Sequence, residues 1–479
     1  MQPTNLLFIM SDEHCREAIG SYGGAHMHTP NLDRLAAQGT RFTSAYTPSP
    51  ICVPARASLA TGRYVHQIGT WSSAEPYDGS VPGWGHRLIA DGHRVVSIGK
   101  LHYRDTSDPN GFDEEILPMH VVGGIGWAKG LLRKSLPTYE SARQLAEQIG
   151  PGESTYVRYD RRICAAACEW LRNSAATPPE KPWVLFVSFV SPHYPLTPPT
   201  DFYQRYPLEG IRPPRLYAPD ARPTHPVVQA LQGFFNYDDY FDEDSVPVAQ
   251  ASYYGLCSFL DAQIGEILQT LEAMGAHEST RIVYTSDHGE MLGNHGFWAK
   301  SVMYEESAAI PLIVTGPDVP RGTVVHTPVS LIDCYQTIVE SVGETLTAEE
   351  ANLPGHSLVG IANGERPERT ILSEYHDGGS ITGFFMIRLA QWKYVHYVGY
   401  PPQLFDMGSD PHEANDLGQS PAHAEIRAAC ETRLRALLDP DEVNTRAFTD
   451  QARKIEELGG EQACRNAFDF NFTPVGGAA

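Results

Sequence analysis

Apolar runs separated by segments of helical period recur along the chain, and each run stops at a polar cluster. Residues 6–10, Leu-Leu-Phe-Ile-Met, are apolar on both sides of a pleat and end at Ser11, Asp12 and Glu13. That is the pattern of a central strand covered on both faces. Residues 94–99 predict a second buried strand, ending at Lys100 and His102, and 183–190 a third, ending at Ser191, Pro192 and His193. A fourth, 281–286, ends at Asp287 and His288, and 42–46 and 311–314 also read as strands. Helices are predicted over 29–39, with proline at its start and glycine at its close, from about 57, and over 85–90, 159–173 and 248–274. The alternation predicts an α/β fold with a large, doubly wound, mostly parallel sheet. Ligands of such sheets sit at the carboxyl ends of the strands, so the four polar clusters are expected at one edge.

Two stretches lack a steady period. Residues 103–155 are glycine-rich and read as a loop region over the sheet's edge, and 195–245, rich in Pro, Tyr and Asp, as a long surface excursion. From about residue 370 the texture changes to short strands at 384–388, 393–397 and 403–405, then a helix over 423–438. The expected organisation is a catalytic α/β domain, 1–370, and a smaller C-terminal α+β domain, 371–479. Residues 439–479 read as a tail that ends in a loose Gly-Gly-Ala-Ala and whose Phe468, Phe470 and Phe472 would be costly in water. A homo-oligomer contact is the expected cover.

Composition narrows the partners. Lys and Arg total 36 against 58 Asp and Glu in 479 residues, a formal charge of −22 that opposes nucleic acid and anionic membranes. An anionic small substrate then needs a local cluster of cations or a metal. The first apolar run is too short for a signal peptide's core, and no run approaches the roughly 18 apolar residues of a membrane span, so a cytoplasmic location is expected. The eight cysteines form no CxxC pair, and Cys164 and Cys168 are expected to share an apolar helix face.

Any one strand-end Asp or His has an ordinary reading as a turn, cap or hydrogen-bonded structural group. Together they concentrate charge that packing does not require. Asp12, Glu13, Asp287 and His288 offer three carboxylates and an imidazole, a hard divalent-metal site. Arg56, Lys100, His102, His193 and Lys300 supply positive charge and proton donors. That combination suits a metal-assisted reaction on a tetrahedral oxyanion ester. Cys52, in the stretch Cys-Val-Pro-Ala-Arg, is on its own open to three readings: a packed thiol, a reactive thiol, or a cysteine modified before it acts. Trp71, Trp84, Tyr103, Tyr194 and Trp298 are candidates to line a pocket or simply to pack.

Cys52-Val53-Pro54-Ala55-Arg56, followed by Leu59-Ala60-Thr61-Gly62-Arg63, resembles the C-x-P-x-R signature of the formylglycine-dependent sulfatases of the alkaline phosphatase superfamily. Segments 5–12, 29–42, 98–102, 286–289, 304–314 and 404–413 resemble further motifs in the family's order. Within it the chain is similar to choline sulfatases and to the arylsulfatase and phosphonate monoester hydrolase group. The resemblance implies that a formylglycine-generating maturation system converts Cys52, whose hydrated aldehyde is then the nucleophile. It implies Asp12, Asp287, His288 and residue 52 as metal ligands, with Glu13 either a weaker further ligand or a residue just behind them. Arg56 would position the nucleophile, Lys100 and His102 would hold the oxyanion, and His193 and Lys300 would bind the ester and protonate its leaving oxygen. Three positions depart from the common pattern: Glu13 stands where many relatives have Asp, His288 where many have Asn, and Ala55 where Ser is commoner. The metal is expected to be Ca²⁺ or Mn²⁺. The expected activity is hydrolysis of small anionic sulfate monoesters, aryl or choline-type, with promiscuity toward phosphonate or phosphate esters. The alternatives are a phosphonate monoester or phosphodiester hydrolase, and an inactive anion-binding relative.

Overall fold

The strand Asn5–Asp12 feeds two cores at once. Leu6, Phe8 and Met10 enter one hydrophobic cluster, and Leu7 and Ile9 enter the cluster on the opposite face. An unbroken apolar run is what a strand covered on both faces requires. The computed structural model describes residues 2–177, 179–467 and 472–475. The strand lies inside an eight-stranded sheet ordered Thr323–Val325, Thr40–Phe42, Leu312–Thr315, Thr280–Ser286, Asn5–Asp12, Val184–Pro192, Val95–Lys100 and Glu114–Met119. All neighbours pair in parallel except Leu312–Thr315, which is antiparallel to both of its partners. Helices Pro30–Gln38, Thr155–Ala176 and Ser245–Ala273 cover one face; Cys52–Thr61, Trp84–Ala90, Asp333–Ser341 and Leu358–Ala362 cover the other. Cys164 and Cys168 pack in the first of these layers.

The second sheet has four antiparallel strands, Ile371–Tyr375, Phe384–Leu389, Trp392–Tyr397 and Gln403–Asp406, backed by the helix Ala424–Leu437. A buried ion network ties it to the large sheet. Lys393 Nζ lies 3.0 Å from Glu305 Oε1 and 2.8 Å from Glu413 Oε1, and Arg16 Nη2 lies 3.0 Å from Glu305 Oε2.

The segments without a period differ from expectation. The stretch 103–155 contributes an edge strand, Glu114–Met119, and a helix, Ser141–Glu147. The edge strand is paired on one side only, so it lacks the continuous apolar run of its neighbours. The stretch 195–245 is a surface excursion only in part, largely over 207–224. Its helix Pro226–Phe235 buries Val227, Val228, Leu231, Phe234 and Phe235, a helical spacing hidden among prolines and tyrosines. Residues 42–46 split into two strands, Thr40–Phe42 and Ala45–Tyr46. The stretch after 438 holds the helix Pro440–Glu457, where Asp439 accepts hydrogen bonds from the amides of Asp441 and Glu442. Phe468 and Phe470 lie outside the described residues, whereas Phe472 packs on Tyr156 of the same chain. No helix among the described residues is long and apolar enough to cross a membrane.

Removing the cation from a buried network strands its carboxylates in a low dielectric. Lys393→Met should therefore cost about 3–5 kcal/mol, read as a lower urea midpoint. An unchanged midpoint would mean that the network adds nothing net.

Candidate active site

Four consecutive strands of the large sheet are those whose carboxyl ends carry the polar clusters: Thr280–Ser286, Asn5–Asp12, Val184–Pro192 and Val95–Lys100. Asp287 and His288, Asp12, His193 and Lys100 thus emerge side by side. Local irregularities aim them. Gly99 has φ +101°, and a Cβ there would sit 2.2 Å from the Ser188 carbonyl oxygen, so only glycine lets the two strands approach just before Lys100. Glu13 and His102, immediately past their strands, adopt left-handed φ of +67° and +55°. For non-glycine residues this costs roughly 1–2 kcal/mol each, strain of the kind that clusters at functional sites.

Asp12, Cys52, Asp287 and His288 are fully buried and place one ligand atom each within 4.8 Å of all the others. Cys52 is the first residue of the helix Cys52–Thr61, preceded by Ile51 in extended conformation. The helix thus begins earlier than the expected 57, and Pro54 lies inside its first turn. In a helix's first turn the N–H that proline lacks has no intrahelical acceptor, so proline is tolerated there. His288 Nδ1 donates to the Gly289 carbonyl at 3.0 Å, which leaves the Nε2 lone pair facing Cys52 Sγ at 3.1 Å and Asp12 Oδ1 at 3.6 Å. Burial pushes this imidazole down to about 3, against the pull of Asp287, so it is neutral and able to ligate. Two carboxylates, a neutral imidazole and residue 52 fit a divalent cation. Burial also pushes the Cys52 thiol up to about 12.

Arg56, 2 % exposed, locks this group together. Its Nε donates to Asp287 Oδ2 at 2.7 Å, Nη1 donates to the Lys100 carbonyl and to Ser188 Oγ at 2.9 Å each, and Nη2 lies 3.8 Å from Asp12 Oδ2. Burial opposes charge on Asp287, but the Arg56 guanidinium outweighs it and holds the carboxyl below its usual range. The Lys100 ammonium is in contact with Asp12, and burial pushes it down to about 7 against the pull of Asp287.

Glu13 turns away from the four-donor cluster. Its Oε2 accepts from Lys300 Nζ at 3.0 Å and lies 3.3 Å from His193 Nε2. Lys300 Nζ also donates to His193 Nε2 at 2.9 Å, while His193 Nδ1 donates to the Tyr194 carbonyl at 2.7 Å. Burial opposes the Lys300 charge, yet Glu13 outweighs it and holds the ammonium protonated. Asp12, Glu13 and His193 form a second set of closely spaced donors, with Lys300 already bonded to two of them.

A cavity of about 110 Å³ opens between Cys52, His102, His193 and Lys300 and a wall of Trp127, Tyr139, Tyr194, Phe235, Tyr237 and Phe472. Of the five aromatic residues expected as a lining or as packing, only Tyr194 lines it. Trp71, Trp84, Tyr103 and Trp298 pack against His376, Phe112, Tyr77 and Phe241. Trp127, Tyr139, Phe235 and Tyr237 come from the two stretches without a clear period. Only the helical spacing of 227–235 offered a sequence signal for part of this wall. Ser188 was missed, as was Asp160, whose carboxylate receives the amides of Val190 and Ser191 at 2.9 and 2.8 Å and so braces the loop carrying His193.

A buried, cation-braced cluster of donors able to hold a metal ion, opening on a small apolar cavity, suits a hydrolase of tetrahedral anionic esters. The family model "Sulfatase" matches residues 4–344, and the model "N-sulphoglucosamine sulphohydrolase, C-terminal" matches 293–439. The chain belongs to the sulfatase family and is a sulfuric ester hydrolase. It is 30% identical over 425 residues to the choline-sulfatase of Rhizobium meliloti, covering 87% of this chain and 83% of that one. Arylsulfatase K of Danio rerio is 28% identical over 459 residues, covering 91% and 84% of the two chains. The phosphonate monoester hydrolase of Agrobacterium radiobacter shares the fold, with a TM-score of 0.72 at 23% identity over 91% of this chain and 95% of that one.

A thiol with its pKa raised to about 12 stays protonated, and so unreactive, throughout the range below it. In metal-free chain with Cys52 unconverted, iodoacetamide at pH 8 should leave Cys52 unlabelled while the unfolded chain reacts fully. Peptide mass spectrometry checks this, and equal labelling in both states would contradict the buried-thiol reading.

Proposed function

We propose that this enzyme hydrolyses small sulfate monoesters of aryl or choline-type alcohols through a formylglycine at position 52. The observation that carries the reading is the juxtaposition of a small aromatic cavity with a charge-balanced buried cluster. Asp12, Glu13 and Asp287 pair with Arg56, Lys100 and Lys300, so the cations are already engaged and the side chains alone offer little positive charge to an anion. A divalent ion, Ca²⁺ or Mn²⁺, held by Asp12, Asp287, His288 and residue 52 would add positive charge and polarise the ester oxygens. Converted by a formylglycine-generating system, residue 52 would offer a hydrated-aldehyde oxygen as nucleophile.

The remaining roles belong to this chain's own side chains. Arg56 keeps both carboxylates and the Lys100 backbone in place. Lys100 and His102 stand where the ester's oxyanion would lie, and the neutral rings of His193 and His102 add no charge of their own. Burial, and then neighbouring cations, keep both imidazoles well below the usual range. The Lys300–His193 hydrogen bond holds a proton that can pass to the leaving oxygen. Trp127, Tyr139, Phe235 and Tyr237 exclude water and present aromatic faces to an aryl ring or a quaternary ammonium. A modest surplus of positive charge suits a monoanion. Sulfate monoesters and phosphonate monoesters are monoanions at neutral pH, whereas phosphate monoesters are largely dianions. Promiscuity is therefore expected toward phosphonate monoesters more than toward phosphate monoesters.

In active enzyme the peptide spanning Cys52 should be lighter by about 18 Da than its cysteine form. Cys52→Ala should lose turnover with its thermal midpoint retained, and near-normal turnover in that variant would sink the mechanism. A panel of aryl sulfate, choline sulfate and phenyl phosphonate ester on one preparation tests the substrate order; fast phosphonate turnover with negligible sulfate turnover would reverse it. His193→Ala should slow esters with poor leaving groups most, and a loss equal across leaving groups would remove it as the acid.

A further inference from the structure

Segment 472–475 returns from the far end of the chain to the active site, 371 positions beyond His102. Thr473 Oγ1 lies 3.0 Å from His102 Nε2, the ring's one hydrogen bond among the described residues, and His102 Nδ1 is buried without a partner. His102 follows its strand in a left-handed conformation, so no helix or ladder orients its ring. The segment is itself well anchored. Tyr156 Oη donates to the Thr473 carbonyl at 2.9 Å, the Phe472 ring meets Tyr156 edge-on at 5.1 Å, and Val475 is buried in the core beneath the sheet. Tyr156 in turn lies 5.9 Å from the ring of His193. Both Phe472 and Thr473 line the catalytic cavity.

We propose that this C-terminal segment is a working part of the active site, with Thr473 a positioning residue that orients His102 and Phe472 a specificity-determining residue that closes the alcohol side of the cavity. The inference rests on the proposed role of His102 toward the ester's oxyanion. With Nε2 engaged by Thr473, Nδ1 is the ring atom left to meet the substrate. A ring free to rotate would present that atom only part of the time, which lowers turnover more than ground-state binding.

The test uses full-length enzyme with conversion at position 52 confirmed by mass. Thr473→Val keeps the shape and removes the hydroxyl; it should lower kcat about 10-fold or more with KM within about twofold, as losses of orienting partners do. Thr473→Ser should restore kcat to within about threefold. Phe472→Ala should instead raise KM for aryl sulfates about fivefold, the scale of one lost aromatic contact. A double-mutant cycle separates positioning from mere structure. In a His102→Ala background, Thr473→Val should cost nothing further. The ¹⁵N resonance of the His102 ring should shift in Thr473→Val and return in Thr473→Ser, a readout independent of turnover. Equal losses from Val and Ser, or full additivity with His102→Ala, would overturn the positioning role; an unchanged KM in Phe472→Ala would overturn the specificity role. If His102→Ala itself retains normal turnover, the oxyanion role of His102 fails first, and the His102 ¹⁵N shift in Thr473→Val, read with the ring present, distinguishes that result from failure of the tail's role.

Discussion

Arg56 is the group on which the rest of the site depends. It is a buried cation bonded to Asp287 and beside Asp12, with its remaining hydrogen bonds spent on the Lys100 carbonyl and Ser188. Carrying charges into a protein interior costs several kcal/mol per ion, so such a cluster persists only where its members satisfy one another. Here the guanidinium reaches three strands of the sheet at once. It opposes two carboxylates that would otherwise repel each other, the two proposed to hold a divalent ion. The helix carrying Arg56 also carries Cys52, so the residue that steadies the carboxylates and the residue proposed as nucleophile are separated by one helical turn.

The sheet makes this arrangement possible. Parallel strands all release their chain at the same edge, and the order of the four central strands sets Asp287, Asp12, His193 and Lys100 next to one another. Helices on both faces bury the sheet and place the charges where solvent does not screen them. The wall opposite is built differently. Trp127, Tyr139, Phe235 and Tyr237 come from irregular connections and short helices that close over the edge, and Phe472 and Thr473 come from the C-terminal segment. Chemistry therefore sits on rigid strand ends, and shape is supplied by the excursions between them. That division lets one scaffold keep its reaction while the cavity is remade.

Charge and shape act on the substrate in different ways. Carboxylates and cations pair off around the centre, so the pull on an anion would come from the divalent ion. The aromatic wall has no comparable charge and selects by fit. The Lys300–His193 pair lies between the two regions, bonded to Glu13 on one side and lining the cavity on the other.

The strands, their polar ends and the Cys52–Arg56 signature were legible because each is local: a buried strand needs a continuous apolar run, and a strand end needs only its neighbours. Asp12, Asp287, His288, Lys100 and His193 could be named on that basis alone. The sequence could not say that their strands are adjacent, because strand order is a property of packing between segments nearly 300 residues apart. The turn of Glu13 toward Lys300 was likewise decided by contact. The same holds for the aromatic wall, where Trp71 and Trp298, candidates for lining or for packing, pack, and unnoticed residues face the cavity. The apolar residues of the tail called for a cover that the sequence did not identify, and only the folded chain supplies Tyr156 to Phe472 and Tyr156 and His102 to Thr473. Periodicity and motif determine what a segment can become and which chemistry it carries. Which side chains meet across the edge of the sheet is decided by tertiary packing, because the energy of those contacts exists only once distant segments are together.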